Sequence, residues 1–202
     1  MEILLIRHGK TKGNVEKRYI GRTDEPLLES SKAELANNPA HEFHPDLVYI
    51  SPMLRCRQTA ELLFGDANPV PQMIIWDGFQ ETDFGEFEYL TYEDLNGHPA
   101  YQAGIDSGGL AAFPGGESGK DFRLRCQRAF AGCIQDAQRK KAQKIVIVVH
   151  GGTIMSIMER YAVPKEDFYH WQVKNGGGFL VRLEESDTDK DFHIRLEQIN
   201  LE

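Results

Sequence analysis

The stretch EILLIRHGKTKGN, residues 2–14, sets a buried strand against a charged ending. Ile3 to Ile6 are four consecutive apolar residues, the pattern of a strand covered on both faces, yet the run ends in Arg7, His8 and Gly9. The pattern returns at KIVIVVHGGTIMSI, residues 144–157, where Ile145 to Val149 lead into His150, Gly151 and Gly152. Two buried strands each deliver a histidine and then a glycine.

Further strand patterns lie at 46–51, 72–76, 178–184 and 192–199. Helical spacing of apolar residues covers 30–38, 53–64, 117–142 and 153–161. This alternation predicts an α/β fold, a three-layer α/β/α sandwich with a mostly parallel central sheet. The 202 residues, 41% of them hydrophobic, suffice for one domain over 1–202. Residues 82–118 are the longest irregular stretch, with a short helical piece near 91–103 and the pairs Gly108-Gly109 and Gly115-Gly116. They read as a cap inserted over the sheet's edge.

A formal charge of −8, with Arg139-Lys140-Lys141 as the longest basic cluster, speaks against nucleic-acid binding. Cys56, Cys126 and Cys133 form no CxxC pair, so neither a disulfide framework nor a zinc knuckle is indicated. The chain enters its first strand without a basic, apolar leader, and no apolar run approaches the roughly 20 residues of a membrane span. A cytoplasmic monomer or homodimer that binds no membrane is expected.

Parallel sheets gather ligands beyond the carboxyl ends of their strands. Arg7, His8 and His150 therefore share one rim. The segment YISPMLRCRQTAELL, residues 49–63, adds Ser51 as a helix N-cap, Pro52 at the first helical position and Arg55 in the opening turn. A helix N-terminus favours anions, and an arginine there adds a planar fork that fits phosphate oxygens. The strand in MIIWDGFQETDFG, residues 73–85, delivers Glu81 a few residues beyond its end.

Two histidines, two arginines and one glutamate are what phosphoryl transfer to a nitrogen nucleophile requires. The histidine attacks, positive donors hold the oxygens, and a carboxylic acid protonates the leaving group. Glycine after each histidine lets the backbone approach an anion. Two other readings stand beside this one. A strand-terminal histidine can be purely structural, and His8, His150 and Glu81 could hold zinc, although Arg7 and Arg55 at the same rim would repel a cation. No metal and no cofactor is expected.

RHGxTxxN, SPxxRxxQTA, ETDFG, PGGES and VVHGG, in that order over nearly the whole chain, resemble the histidine phosphatase superfamily. The resemblance implies His8 as the phosphorylated nucleophile and Arg7, Asn14 and Arg55 as phosphate ligands. It also implies Glu81 as proton donor and His150 as the second phosphate-binding histidine. Thr11 in the same motif, Gly151 after His150, and Gly21 as a backbone approach point complete the expected set. KRYIGRTDEPL and FPGGES look most like the small bacterial α-ribazole phosphatases. Lys10, where relatives carry Glu or Gln, should face the pocket mouth or solvent.

Arg57 points to another helix face, and Arg18 and Arg22 flank the pocket loop. The three cysteines read as packing residues. Of the remaining histidines only His98, in the cap, could meet substrate.

Three functions fit: a phosphomonoesterase, a phosphoglycerate-mutase-type isomerase, or a non-catalytic phosphate binder. A binder needs neither His8 nor Glu81. From Thr82 to Ser118 there is no Lys or Arg and there are seven acids, so polyanions should be held poorly. Phe84, Phe87, Tyr89, Tyr92, Tyr101 and Phe113 offer surface for a ring. The expected partner is a small-molecule phosphate monoester, with α-ribazole 5′-phosphate the favoured candidate.

Overall fold

The computed structural model describes residues 1–185 and 192–199. Its strands are β1 (Glu2–Arg7), β2 (Leu47–Ile50), β3 (Gln72–Ile75), β4 (Lys144–Val149), β5 (Ala162–Val163), β6 (Gly178–Glu185) and β7 (Phe192–Ile199). Together they form one seven-stranded sheet in the order β3-β2-β4-β1-β6-β7-β5. The four strands β3, β2, β4 and β1 run parallel, while β6 pairs antiparallel with both β1 and β7. The helices are α1 (Lys12–Val15), α2 (Glu29–Leu35), α3 (Leu54–Phe64), α4 (Pro99–Asp106), α5 (Gly119–Arg139) and α6 (Gly151–Tyr161).

The apolar runs make the layers. Ile3, Leu5, Ile145 and Ile147 point to one face and pack with Phe130 and Ile134 of α5 and Ile154 and Ile157 of α6. Leu4, Ile6, Val146 and Val148 point to the other and meet Leu35 of α2 and Ala60, Leu63 and Phe64 of α3. Strand side chains alternate between faces, so a strand buried on both must be apolar at every position. Each fully buried aliphatic side chain contributes about 1.5–3 kcal/mol, so most of the sheet's hydrophobic stabilisation lies at its middle.

Register then levels the strand ends. Arg7 sits beside Val149, the His8 N–H donates to the Val149 carbonyl at 3.0 Å, and the Ser51 N–H donates to that of Val148 at 3.0 Å. Three chain segments therefore leave the sheet at one height.

The 82–118 segment contains a 3₁₀ turn at Gly85–Phe87 and then α4. Its rings pack chiefly on one another: Phe84 and Phe113 are 5.1 Å apart between centroids, and Phe87 and Phe113 are 5.9 Å apart. The spacing-based helices run a few residues too long at several ends, and two elements lie outside the sequence reading. α1 has four residues and β5 two, too few for a period to show. None of the helices among the described residues is long and apolar enough to cross a membrane.

Candidate active site

His8 lies at the end of β1 and is 3% exposed. Its Nδ1 is 2.7 Å from the Gly9 carbonyl oxygen. A carbonyl only accepts, so Nδ1 carries the proton and Nε2 presents its lone pair. Burial holds the imidazole well below its ordinary 6.5, and the charges of Arg55 and Arg7 push the same way. At neutral pH the ring is uncharged.

Arg55, in the first turn of α3, is 1% exposed. It donates through Nη1 to the Thr23 carbonyl at 2.9 Å and through Nη2 to that of Gly21 at 3.1 Å. Arg7 donates through Nη1 to the Val173 carbonyl at 2.7 Å, while its buried Nε has no partner. Among the described residues neither guanidinium has a carboxylate at salt-bridge distance. A buried Arg55 and a half-buried Arg7, both held by neutral carbonyls rather than carboxylates, form a positive site suited to an anion. The free amides at the N-terminus of α6 open beside them: a Cβ on Gly151 would stand 3.3 Å from Arg7 Nε.

His150 is fully buried, with its ring centroid 5.2 Å from that of His8. Its Nε2 lies 2.7 Å from Ser51 Oγ, and its Nδ1 is 3.9 Å from Glu81 Oε2. Burial, then Arg55, His8 and Arg7, hold it too well below 6.5. Ser51 thus departs from its expected place. Helix α3 begins at Leu54 after Met53, so neither Ser51 nor Pro52 caps or opens it. Two bend residues, Pro52 and Met53, intervene before the helix, and Ser51, still bonded to the Val148 carbonyl at the end of β2, turns its hydroxyl to His150. Cys56 Sγ lies 3.7 Å from His150 Nε2, and burial pushes the thiol up to about 12, as befits a packing residue.

Glu81 follows β3 through a 3₁₀ turn at Asp77–Phe79. Burial raises its pKa, against the opposing pull of the Thr82 amide, Arg55 and Arg7. Thr82 donates its N–H to Oε1 at 2.9 Å. The carboxyl therefore keeps its proton to higher pH than an ordinary glutamate.

Asn14 and Thr11 belong to α1, where Thr11 is the N-cap and its hydroxyl is spent on Asn14. Asn14 Oδ1 accepts from the Thr11 N–H at 3.1 Å and from Asn175 Nδ2 at 3.2 Å, so the Nδ2 donors of Asn14 remain uncommitted among the described residues. Asn175 also donates to the His8 carbonyl at 3.1 Å. It was not expected from the sequence; the run Asn175-Gly176-Gly177-Gly178 was the available signal. Thr59 is a second addition: it accepts the Gly9 N–H at 3.0 Å and donates to the Arg55 carbonyl at 2.7 Å, tying the turn after His8 to α3.

Gly9 and Gly21 are needed for close packing instead. A Cβ on Gly9 would stand 2.6 Å from Ser31 Oγ, so α2 demands the glycine. At Gly21 a Cβ would stand 1.9 Å from the Thr82 carbonyl, and the Gly21 N–H is taken by Glu88 at 2.9 Å. Gly21 joins its loop to the 82–118 segment and turns its carbonyl to Arg55. Lys10 points outward to Glu34 at 3.0 Å, and Arg57 lies 3.9 Å from Asp24. His98 is exposed and caps α4, its Nδ1 accepting the Ala100 N–H at 3.2 Å.

The acids of 82–118 are less free than their number implies. Asp83 pairs with Arg22 at 2.8 Å, Glu117 with Arg125 at 2.7 Å, and Glu88 accepts the amides of Gly21 and Thr23. Of the aromatic residues, Phe87 is buried and Tyr89 bonds Glu25 at 2.6 Å. Tyr101 and Phe113, with Tyr19, Ile105 and Tyr169, line a cavity of about 150 Å³.

The two buried histidines give stability a definite pH dependence. Their folded pKa values lie below the 6.5 of the unfolded chain. The unfolded state therefore binds more protons as pH drops below 6.5, and stability is lost toward acid. Glu81, raised above its ordinary 4.5, acts in the opposite sense between 4.5 and its folded value. Thermal melts from pH 7.5 to 5 should show a fall of up to about 1.4 kcal/mol per pH unit for each histidine. His150→Asn should flatten it, and an unchanged slope in that variant would contradict the burial of a neutral imidazole.

Among the described residues no three His, Cys, Asp or Glu side chains cluster so as to hold a metal ion. An adenosylcobalamin/α-ribazole phosphatase of Escherichia coli is 30% identical over 181 residues, covering 87% of each chain. A metal-independent phosphoserine phosphatase of Arabidopsis thaliana is 29% identical over 164 residues, 79% of this chain and 68% of that one. The crystal structure of the α-ribazole phosphatase from Shigella flexneri superposes with a TM-score of 0.81 at 25% identity, over 97% of this chain and 95% of the other. The sequence profile of the histidine phosphatase superfamily (branch 1) matches residues 3–192, and with the strand ends, histidines and arginines placed as above, the chain belongs to that superfamily.

Proposed function

We propose that the protein is a metal-independent phosphomonoesterase working through phosphohistidine. The observation that carries this reading is the His8 tautomer, with Nδ1–H fixed on the Gly9 carbonyl and Nε2 left as nucleophile between two guanidiniums that, among the described residues, pair with no carboxylate. Nε2 attacks phosphorus, the ester P–O bond breaks, and Glu81 gives its proton to the departing alkoxide. Arg7, Arg55, His150, Asn14 and the α6 amides hold the phosphoryl oxygens as charge shifts onto them. Glu81, now a carboxylate, takes a proton from water as the oxygen attacks phosphorus; the N–P bond breaks and both residues return to their starting forms. A pure binder needs no fixed imidazole tautomer and no raised carboxyl, so the non-catalytic reading fits less well.

The 82–118 segment acts as the cap of a single domain, and hydrolysis is favoured over mutase chemistry there. It supplies no cation, and its apolar cavity between Tyr101, Phe113 and Tyr19 suits an uncharged ring. The relatives' names support a small phosphate monoester, and a ring-bearing alcohol such as that of α-ribazole 5′-phosphate is the preferred leaving group. Three free thiols fit a reducing compartment, and the cytoplasm is the assigned location.

A panel of monoesters assayed in excess chelator tests this. α-Ribazole 5′-phosphate should exceed 3-phosphoglycerate in kcat/KM by at least about tenfold, the scale of one stacking contact set against one added charge. Loss of activity with chelator overturns the metal-independent mechanism. Faster isomerisation than hydrolysis of phosphoglycerate replaces the phosphatase by a mutase.

A further inference from the structure

Glu81 can protonate a leaving oxygen only if its loop is held still; Phe79 anchors the turn before it in the core, but the chain at residues 80 and 81 borders open space. Beside residues 80 and 81 lies a cavity of about 230 Å³, lined among others by Asp83, Glu117 and Arg125. Arg125, two turns into α5, reaches across. Its Nη1 donates to the carbonyls of Gly78 at 3.0 Å and Gln80 at 2.9 Å, and its Nη2 to that of Glu81 at 3.4 Å. The remaining donors, on Nε and Nη2, form a two-pronged pair with Glu117 at 2.9 and 2.7 Å. All five N–H groups of the guanidinium are thereby used.

We propose that Arg125, locked by Glu117, is the positioning residue for Glu81: it fixes the 78–81 main chain and so the direction from which the acid meets the leaving oxygen. The inference rests on the proton-donor role of Glu81 proposed above. Arg125 itself touches no reacting atom. Only an arginine satisfies the geometry, because its planar fork reaches three carbonyls and a carboxylate at once, whereas a lysine ammonium has three donors at one point. Glu117, in the PGGES motif, makes the acid's position depend on the 82–118 segment, so a substrate that seats that segment also seats the acid.

The test compares Arg125→Lys, Glu117→Gln and Glu81→Gln on an alkyl phosphate and on p-nitrophenyl phosphate, whose phenolate leaves with little need of a proton. For Arg125→Lys, kcat on the alkyl phosphate should fall about 10- to 100-fold, the scale of a misplacement of about 1 Å. On p-nitrophenyl phosphate it should fall no more than about threefold, with inhibition by inorganic phosphate unchanged. Glu117→Gln should show the same selectivity at smaller size, and it carries the test should Arg125→Lys not fold. Added to Glu81→Gln, Arg125→Lys should cost less than about twofold more on the alkyl phosphate, since an absent acid cannot be misaimed. Equal losses on both substrates, or a full additional loss in the double variant, overturn the positioning role while leaving Glu81 as the acid. If Glu81→Gln itself shows no leaving-group selectivity, the acid assignment falls, and the role of Arg125 falls with it.

Discussion

His8→Ala loses turnover by about three to six orders of magnitude, the range seen when a covalent nucleophile is deleted. The loss is large because nothing else in the site replaces a neutral imidazole with its Nε2 lone pair exposed. His150 lies 5.2 Å away between centroids, but its Nε2 is engaged with Ser51. Arg7 and Arg55 donate their own hydrogen bonds to the carbonyls of Val173, Thr23 and Gly21, so they stay in place without His8. Inorganic phosphate should therefore still bind to the variant within a few-fold of wild type, on the order expected when only a transition-state contact is removed. Steady-state kinetics with product inhibition checks both parts. A variant keeping more than about a tenth of wild-type kcat would remove His8 from the nucleophile's place.

Glu81→Gln produces the second-largest effect, and its size depends on the leaving group. With an alkyl phosphate the phosphorylation step should slow by about 10² to 10⁴, the usual contribution of a positioned general acid. With p-nitrophenyl phosphate the same step should slow by less than about tenfold, because the phenolate departs largely unprotonated. The amide oxygen of glutamine can still accept the Thr82 N–H, so the loop should keep its path. If Glu81 is the acid, the alkaline limb of the wild-type profile should follow this carboxyl, whose pKa burial raises above the ordinary glutamate value. Single-turnover rates for both substrates between pH 5 and 9 provide the check. Equal slowing would transfer the acid's role elsewhere, with Asp83 the first residue to replace.

The convergence of His8, Arg7, Arg55 and His150 was legible because each stands at a strand end or in a helix's first turn, whereas Glu81 lies beyond a 3₁₀ turn after β3. The apolar runs before them fix where those elements lie. Ile3–Ile6 and Ile145–Val149 admit no other placement than a doubly covered sheet interior. Ser51 was misread because Ser-Pro before a helical pattern has the chemistry of an N-cap, while two bend residues, Pro52 and Met53, separate it from the helix. Gly9 and Gly21 were assigned to an anion when their neighbours are Ser31 and Thr82. The acids of 82–118 were counted as free charge, but Arg22 and Arg125 lie outside that segment and neutralise two of them. Asn175 and the Val173 carbonyl serve β1 from more than 160 residues away. The Asn-Gly-Gly-Gly run marks a special turn there, but the contact to β1 itself is made only by closure of β6 against β1.

The most direct measurement is to trap the intermediate. Enzyme mixed for milliseconds with substrate and quenched in alkali, which spares phosphohistidine, can be digested and read by mass spectrometry, with phosphorus NMR on the denatured protein. One phosphoryl group should appear on His8, bonded to Nε2, because Nδ1 is committed to the Gly9 carbonyl at 2.7 Å. It should be absent from His8→Ala and should accumulate in Glu81→Gln when p-nitrophenyl phosphate is the donor, since the acid that must activate water is missing. Phosphate on Nδ1, on His150 or on a hydroxyl, or turnover with no phosphoenzyme at any time point, would contradict the account at its centre.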